Sequence, residues 1–268
     1  MIDDKAIISK DAQIGNNCEI GPNVYIGKNV ILGDNVKVCA NAYIEHATIG
    51  EGTIISPFAS IGTPPQDLGY KNEPTQVIIG KNCQIREYAT IHRASGEGKL
   101  TIIGDKCLLM VSSHVAHNCE LDDEVILANL VTLGGHIKVG FGAFVGGMSV
   151  FHQNIRIGKM SIVSGFSAAR QDILPFSKGE GRPPVPRALN VVALKRRGVA
   201  LENRTNLNKA FKILISPDLN TTQAIEKIKN EVQINKYIEE LIQFIQTSKR
   251  GVTLHSHKKG YQSLEDEE

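Results

Sequence analysis

An aliphatic residue returns at every sixth position through most of this 268-residue chain, and that spacing constrains the fold more than any other feature. Ile8, Ile14, Ile20, Ile26, Leu32, Val38 and Ile44 keep one phase. After a slip of one residue the phase resumes at Ile49, Ile55 and Ile61 and continues at Ile79, Ile85 and Ile91. From Ile103 the run passes through Leu109, Val115, Leu121, Leu127, Leu133, Val139, Val145, Phe151 and Ile157 to Val163 without a break. Glycine often follows the aliphatic residue, and four positions after it comes a small or apolar one, as at Cys18, Cys83, Cys107, Ser113, Cys119, Val125, Ala143 and Ser149. A period of six is neither the 3.6 of an amphipathic helix nor the 2 of a half-buried strand. Each hexad reads as one short strand closed by a tight turn, with the aliphatic side chain inward and glycine or asparagine permitting the turn. Three hexads then close a triangular coil of 18 residues, a solenoid built from internal repeats. A sandwich of short strands would not hold so strict a phase.

Two stretches leave the pattern, residues 62–78 and 92–102, and read as loops ejected from a coil, where binding residues gather on a rigid scaffold. The repeat domain spans 1–174. Residues 175–189, with four prolines, read as a connector. Residues 190–250 read as a helical domain, with Leu207, Phe211, Leu214 and Ile215 on one face, then Ala224, Ile225, Ile228 and Val232, then Ile238, Leu241, Ile242 and Ile245. Thr221 is the expected N-cap of one helix, and Pro217 separates two. The polar stretch 251–268, with His255 and His257, reads as a disordered, solvated tail.

A net charge of +2, no tryptophan and few aromatics argue against nucleic acid as a partner. No apolar run is long enough to span a membrane, and the start, MIDDKAIISK, lacks the apolar core of a secretion signal, so a cytoplasmic protein is expected. Five cysteines without a CxxC pair indicate neither a zinc knuckle nor a disulfide framework, and four occupy the small inward slot of the hexad, where a thiol is buried and inert.

The chemistry-bearing stretch is SHVAHNC at 113–119. Residues 18 apart stack about 4.8 Å from one another, so His117 stacks on Gly135, next to His136, and His152 stacks on Gly134. Three imidazoles on successive coils therefore share one edge to within one residue. Two chemistries suit them. They could hold zinc with an open position, as in carbonic anhydrases of this fold, although no acidic residue is obviously paired with them. Alternatively one imidazole is a general base.

HVAHNC, GGHIKVG, GGMSVFHQ, QDLGY with NEPT, TIHR and LNVVALKRRG, in that order, resemble the UDP-N-acetylglucosamine acyltransferase family of lipid A synthesis, a branch of the hexapeptide-repeat acyltransferases. The match runs from the N-terminus to about residue 250. The resemblance implies a mainly β fold, a left-handed parallel β-helix followed by a small C-terminal α-helical domain, assembled as a homotrimer with each cleft between subunits. It implies transfer of a 3-hydroxyacyl chain from acyl carrier protein to the glucosamine 3-position of UDP-N-acetylglucosamine, with no cofactor and no metal. His117 would be the base and the Gly135 N–H the oxyanion donor. His114 would contact the nucleotide sugar, and His136 and His152 would position substrate and acyl donor. Asp67, His92, Gln153, Asn190 and Arg197 would make further substrate contacts, Lys195 and Arg196 would meet the carrier protein, and Gly165 would leave room for a long acyl chain. Three positions depart from the family pattern: Asn118 where aspartate is common, Gly69 where lysine is familiar (Lys71 could replace it), and Val192 where glutamate is expected. Some members of the family use an acceptor bearing a 3-amino group and form an amide, and no residue here excludes that alternative. A sister N-acyltransferase usually carries a separate domain before its repeats, whereas hexads here begin at Ile8. An ice-binding solenoid would show threonine ladders, which are absent.

Overall fold

The computed structural model describes residues 1–255. Strands mostly two residues long wind into a parallel β-helix of three faces. The first face runs from Ile7–Ile8 to Ala168–Ala169, the second from Gln13–Ile14 to Arg156–Ile157, and the third from Glu19–Ile20 through Ile162–Val163 into a terminal hairpin. Successive coils pair 18 residues apart, so that His114 lies beside Thr132, Thr132 beside Val150 and Val150 beside Ala168. The slip in phase near residue 46 is a coil of 17, which pairs Ile31 with Thr48 and Lys37 with Ile54.

The second residue of each short strand points inward. From Ile20 onward the six-spaced aliphatic residues are at most 4% exposed, while Ile8 and Ile14 at the open end are half-covered. Burying such a side chain is worth about 1.5–3 kcal/mol, and this column is the main core. Cys18, Cys83, Cys107 and Cys119 fill the inside corners as buried thiols, while Cys39, outside that slot, is half-buried. Burial pushes the Cys119 thiol up to about 12, which leaves it protonated and unreactive.

Each edge turns through one left-handed residue. The first-to-second edge uses Asn29, His46, Asn118, His136 and Asn154; the second-to-third uses Asn17, Asn35, Asn82, Lys106, Glu124 and Met160. The third-to-first edge uses Asn23 and Asn41, then Phe58, Tyr88, Ser112, Leu130, Met148 and Phe166. Asparagine tolerates this conformation; a bulky L-residue gives up about 1–2 kcal/mol to adopt it. Both ejected loops, 64–75 between Ser60–Thr63 and Gln76–Ile79, and 93–99 between Thr90–His92 and Leu100–Ile103, leave the first-to-second edge.

Residues 175–189 are not merely a connector. Ser177–Gly181 pairs in parallel with Ile162–Val163, and Pro184–Leu189 folds back on it antiparallel. The prolines fit because Pro184–Leu189 is the outermost strand of its sheet, where a missing N–H breaks no ladder. Among the described residues four helices follow: α1 (Val191–Arg196), α2 (Leu201–Leu214), α3 (Thr221–Glu231) and α4 (Lys236–Gln246). The cap of α3 is Asn220, in a capping box with Gln223, one residue before the expected Thr221. Leu207, Phe211, Leu214, Ile228, Ile238 and Leu241 form a second core. Arg156 joins the two: it pairs with the buried Asp172 at 2.8 Å and donates to the Phe244 carbonyl at 2.6 Å. Nor is the start of the expected tail disordered, for Val252 bridges to Asp172 and Thr253 and Leu254 are buried. His255 is exposed; His257, with the rest of 256–268, lies outside the described residues. Among the described residues, no helix is long and apolar enough to cross a membrane.

Candidate active site

The 18-residue register sets three neighbouring columns along the first-to-second edge: Ala116, Gly134 and His152; His117, Gly135 and Gln153; Asn118, His136 and Asn154. The hydrogen bonds His136 N–H to His117 O and Asn154 N–H to Gly135 O, both 3.0 Å, hold them in step. The His117 ring is buried and meets the His136 ring edge to face, centroids 5.1 Å apart. Its Nδ1 lies 2.8 Å from Asn118 Oδ1. On its other side a Cβ on Gly135 would stand 2.6 Å from Nε2, so only glycine lets the ring occupy this place. Among the described residues no acceptor takes the Gly135 N–H.

Three residues earlier on the same coil, His114 Nδ1 sits 2.8 Å from Thr90 Oγ1, and its ring meets that of His92 at 5.2 Å. Burial, reinforced by His92, lowers the His114 pKa to about 4, so it is neutral at pH 7. His92 Nδ1 donates to the Pro64 carbonyl at 2.7 Å, which ties it to the loop 64–75. Burial likewise lowers the pKa of His136, helped by His117 and opposed by Asp67. Asp67, on that loop, accepts from the Gly69 N–H at 2.9 Å; the nearby Ser95 hydroxyl, this bond, and then His117 and His136 hold its carboxyl below the usual range. One chain by itself thus brings Asp67 within electrostatic reach of His117.

Other expected residues lie elsewhere. Asn190 is buried and caps α1: its Oδ1 accepts from Ala193 N–H and its Nδ2 donates to Met160 O at 2.8 Å. That amide is already engaged by its own chain, on the second-to-third edge. Arg197 occupies the same edge, paired with Glu124 and stacked over the Phe141 ring at 4.8 Å. Lys195 and Arg196 are exposed in the last turn of α1, and Val192 is exposed in its first. Gly165 sits on the third-to-first edge, packed near Gly147. None of these meets His117 within the chain.

Two hollows flank the imidazoles. The first, about 710 Å³, runs along the first face from Gly134 and His152 past Thr132, Val150 and Ala168 to the hairpin tip at Arg182 and Pro183. Arg182 Nε donates to Phe166 O at 2.8 Å and closes that end. The second, about 680 Å³, lies beyond His136 and is basic, with Lys138, Arg156, Lys249 and Arg250 on its wall. Arg250 Nη2 comes 3.5 Å from His152 Nδ1. The sequence reading missed these walls, although Val150 and Ala168 are the outward residues one and two coils beyond Thr132 and carry the signal in their register. Among the described residues, no group of three His, Cys, Asp or Glu side chains is placed to hold a metal ion, so His117, His136 and His152 form no zinc triad within the chain.

Residues 172–253 match the family model described as UDP N-acetylglucosamine O-acyltransferase, domain 2, and residues 11–46 and 29–63 match the bacterial transferase hexapeptide model. An acyl-[acyl-carrier-protein]–UDP-N-acetylglucosamine O-acyltransferase of Thermodesulfovibrio yellowstonii is 45% identical over 254 residues, 94% of this chain and 98% of that one. One from Gloeothece citriformis is 42% identical over 200 residues, 75% of this chain and 72% of the relative. The crystal structure of a UDP-N-acetylglucosamine acyltransferase from Bacteroides fragilis superposes with a TM-score of 0.91 at 38% identity, covering 94% of this chain and 99% of that one. A structure from Acinetobacter baumannii gives 0.90 at 34% identity, with the same coverage.

Proposed function

The chain belongs to the UDP-N-acetylglucosamine O-acyltransferase family, and from that membership we propose that it moves a 3-hydroxyacyl chain from acyl carrier protein to the 3-hydroxyl of UDP-N-acetylglucosamine, with His117 as general base. One observation carries the reading: the His117 ring, Nε2 included, packs against the Cα of Gly135, whose N–H has no acceptor among the described residues, so a base and an available oxyanion donor adjoin. His117 Nε2 takes the proton of the sugar 3-hydroxyl as its oxygen bonds to the thioester carbonyl carbon. The carbonyl becomes an oxyanion facing the Gly135 N–H. The C–S bond then breaks, and the thiolate leaves with the proton from the imidazolium. A positioned base is worth about 10²–10⁴ in rate, and one oxyanion donor about 10²–10³.

The apolar hollow beside His152 suits the acyl chain, and the hairpin at Arg182 and Pro183 is the stop that sets its length. Gly165 is not on that wall in one chain. His114 and His136, both held toward the neutral form, can donate to or accept from the sugar without adding charge. The basic hollow, together with Lys195 and Arg196, faces the acidic carrier protein and the diphosphate.

Assembly as a homotrimer has its own support. Phe58, Tyr88, Leu130, Met148 and Phe166 are 45–61% exposed on one edge in a strained conformation, and Phe58 stacks on Tyr88 at 5.1 Å. Such a stripe is what a neighbouring subunit would cover. A neighbour would also bring Asn190 and Arg197, which are remote from His117 in their own chain, toward a second cleft.

The test is to incubate the purified protein with UDP-N-acetylglucosamine, or its 3-amino analogue, and 3-hydroxyacyl carrier proteins of graded length. A nucleotide sugar gaining one hydroxyacyl group, labile to hydroxylamine as an ester, is the expected product. No acylated sugar with any donor would reject the reading, and product from the 3-amino analogue alone would replace the ester with an amide.

A further inference from the structure

Asn118 stands where a carboxylate would hold the base by charge, and its surroundings show what replaces the charge. Its side chain is gripped by the backbone of one residue on the ejected loop: the Ser95 N–H donates to Asn118 Oδ1 at 3.0 Å, and Asn118 Nδ2 donates to the Ser95 carbonyl at 3.0 Å. A peptide N–H can only donate and a peptide carbonyl can only accept. Turning the amide over would set N–H against NH₂ and carbonyl against carbonyl. The two bonds lost are each worth about tenfold in an equilibrium, so the oxygen stays toward Ser95 N and toward His117. His117 Nδ1, 2.8 Å from that oxygen, must then carry the ring proton. The lone pair is left on Nε2, the nitrogen that faces Gly135.

We infer that Ser95, acting through its backbone on Asn118, is the positioning residue that fixes the His117 tautomer, and that the loop 93–99 is therefore part of the base. This rests on His117 being the base. The loop is itself held firmly. Glu73 accepts from the Gly96 N–H at 2.6 Å, Gly98 N–H donates to Pro74 O at 3.0 Å, and the buried Arg93 guanidinium binds Glu45, the Gly62 carbonyl and the Tyr70 hydroxyl at 2.8–3.1 Å. The backbone of Asn118 is anchored too, its N–H donating to Thr101 Oγ1 at 2.9 Å. The arrangement needs an amide at position 118. An aspartate there would point a carboxylate oxygen at the Ser95 carbonyl.

The experiment reads tautomer and turnover separately in the full-length protein. With ¹⁵N-labelled histidine at pH 8, the His117 signal, assigned by its absence in His117→Ala, is expected to show a protonated Nδ1 and a bare Nε2. Asn118→Asp, although it supplies the charge, is expected to lower kcat about tenfold, the worth of one lost hydrogen bond, with KM for UDP-N-acetylglucosamine within twofold. Ser95→Ala keeps both backbone groups and is expected to keep the tautomer; Ser95→Pro removes the N–H and is expected to lose it. A wild-type spectrum with the proton on Nε2, or an Asn118→Asp enzyme as fast as wild type, overturns the inference, whether or not Ser95→Pro folds. If His117→Ala turns over normally while wild type shows the Nδ1–H form, the base assignment falls and the Ser95 clamp stands.

Discussion

Two edges of the same prism take the same left-handed turn and do opposite things with it. On the first-to-second edge the turn residues are asparagines and histidines, and both interruptions of the repeat leave the prism there. On the third-to-first edge they become phenylalanine, tyrosine, leucine and methionine, which the turn tolerates poorly and water does not cover well. The backbone is indifferent to the contrast; only the side chains differ. A repeat therefore supplies three equivalent edges, and function is written by what departs from the cheapest turn residue. On the proposed reading, histidine and inserted loops mark the edge for chemistry, and bulky apolar residues mark the edge that another subunit would cover.

The largest effect that would break this contrast is expected on the chemical edge. Gly135→Ala places a methyl 2.6 Å from His117 Nε2, which displaces the ring from the free N–H. Steady-state assays should show kcat down by about 10²–10³, the worth of an oxyanion donor, with the thermal midpoint nearly unchanged. A loss below threefold would mean that the two groups do not act together.

The apolar edge is expected to answer differently. Leu130→Asn with Met148→Asn replaces two strained residues by one that accepts the turn. Each exchange should relieve about 1 kcal/mol of backbone strain while it removes apolar surface from the stripe. Sedimentation should show weaker self-association, and the dissociated chain should unfold no more easily than before. Unchanged assembly would leave the stripe without a role.

Between the edges, Arg182→Ala releases the hairpin from Phe166 and opens the end of the groove. Acyl-chain profiling should shift toward longer donors, with roughly fourfold per added CH₂ from its burial. An unchanged profile would place the stop elsewhere.

The smallest effect is a pH dependence. His114 has a folded pKa of about 4 against an ordinary 6.5, because burial disfavours its charge. Its contribution is fully present above pH 6.5, since the unfolded chain binds the extra proton only below that value, and it is lost as pH falls from 6.5 toward 4. His136 and His46, also lowered by burial, act in the same direction. Thermal midpoints measured across this window should fall for wild type and fall less for His114→Gln; parallel curves would contradict the assignment.

Much of this was legible in the sequence because a period of six fixes both the inward column and the stacking of residues 18 apart. The meeting of His117 with Gly135 is arithmetic on that register, and so is the common edge of the two loops. The terminal hairpin was not legible, because four prolines look like a break unless the strand is known to be outermost. Nor was Val252, whose bridge to Asp172 depends on the chain returning from the helical domain. The sequence also does not show that the Asn190 amide caps α1 and donates to the Met160 carbonyl. The grip of Ser95 on Asn118 joins residues 23 apart across an ejected loop, a separation that no repeat predicts.

The account turns on His117. The most direct measurement is the single-turnover rate of His117→Ala with a matched hydroxyacyl carrier protein, alongside calorimetric binding of UDP-N-acetylglucosamine. The account predicts a rate lower by about 10²–10⁴ with the nucleotide sugar still bound and the fold intact. A variant that transfers its acyl group within a fewfold of wild type would contradict it.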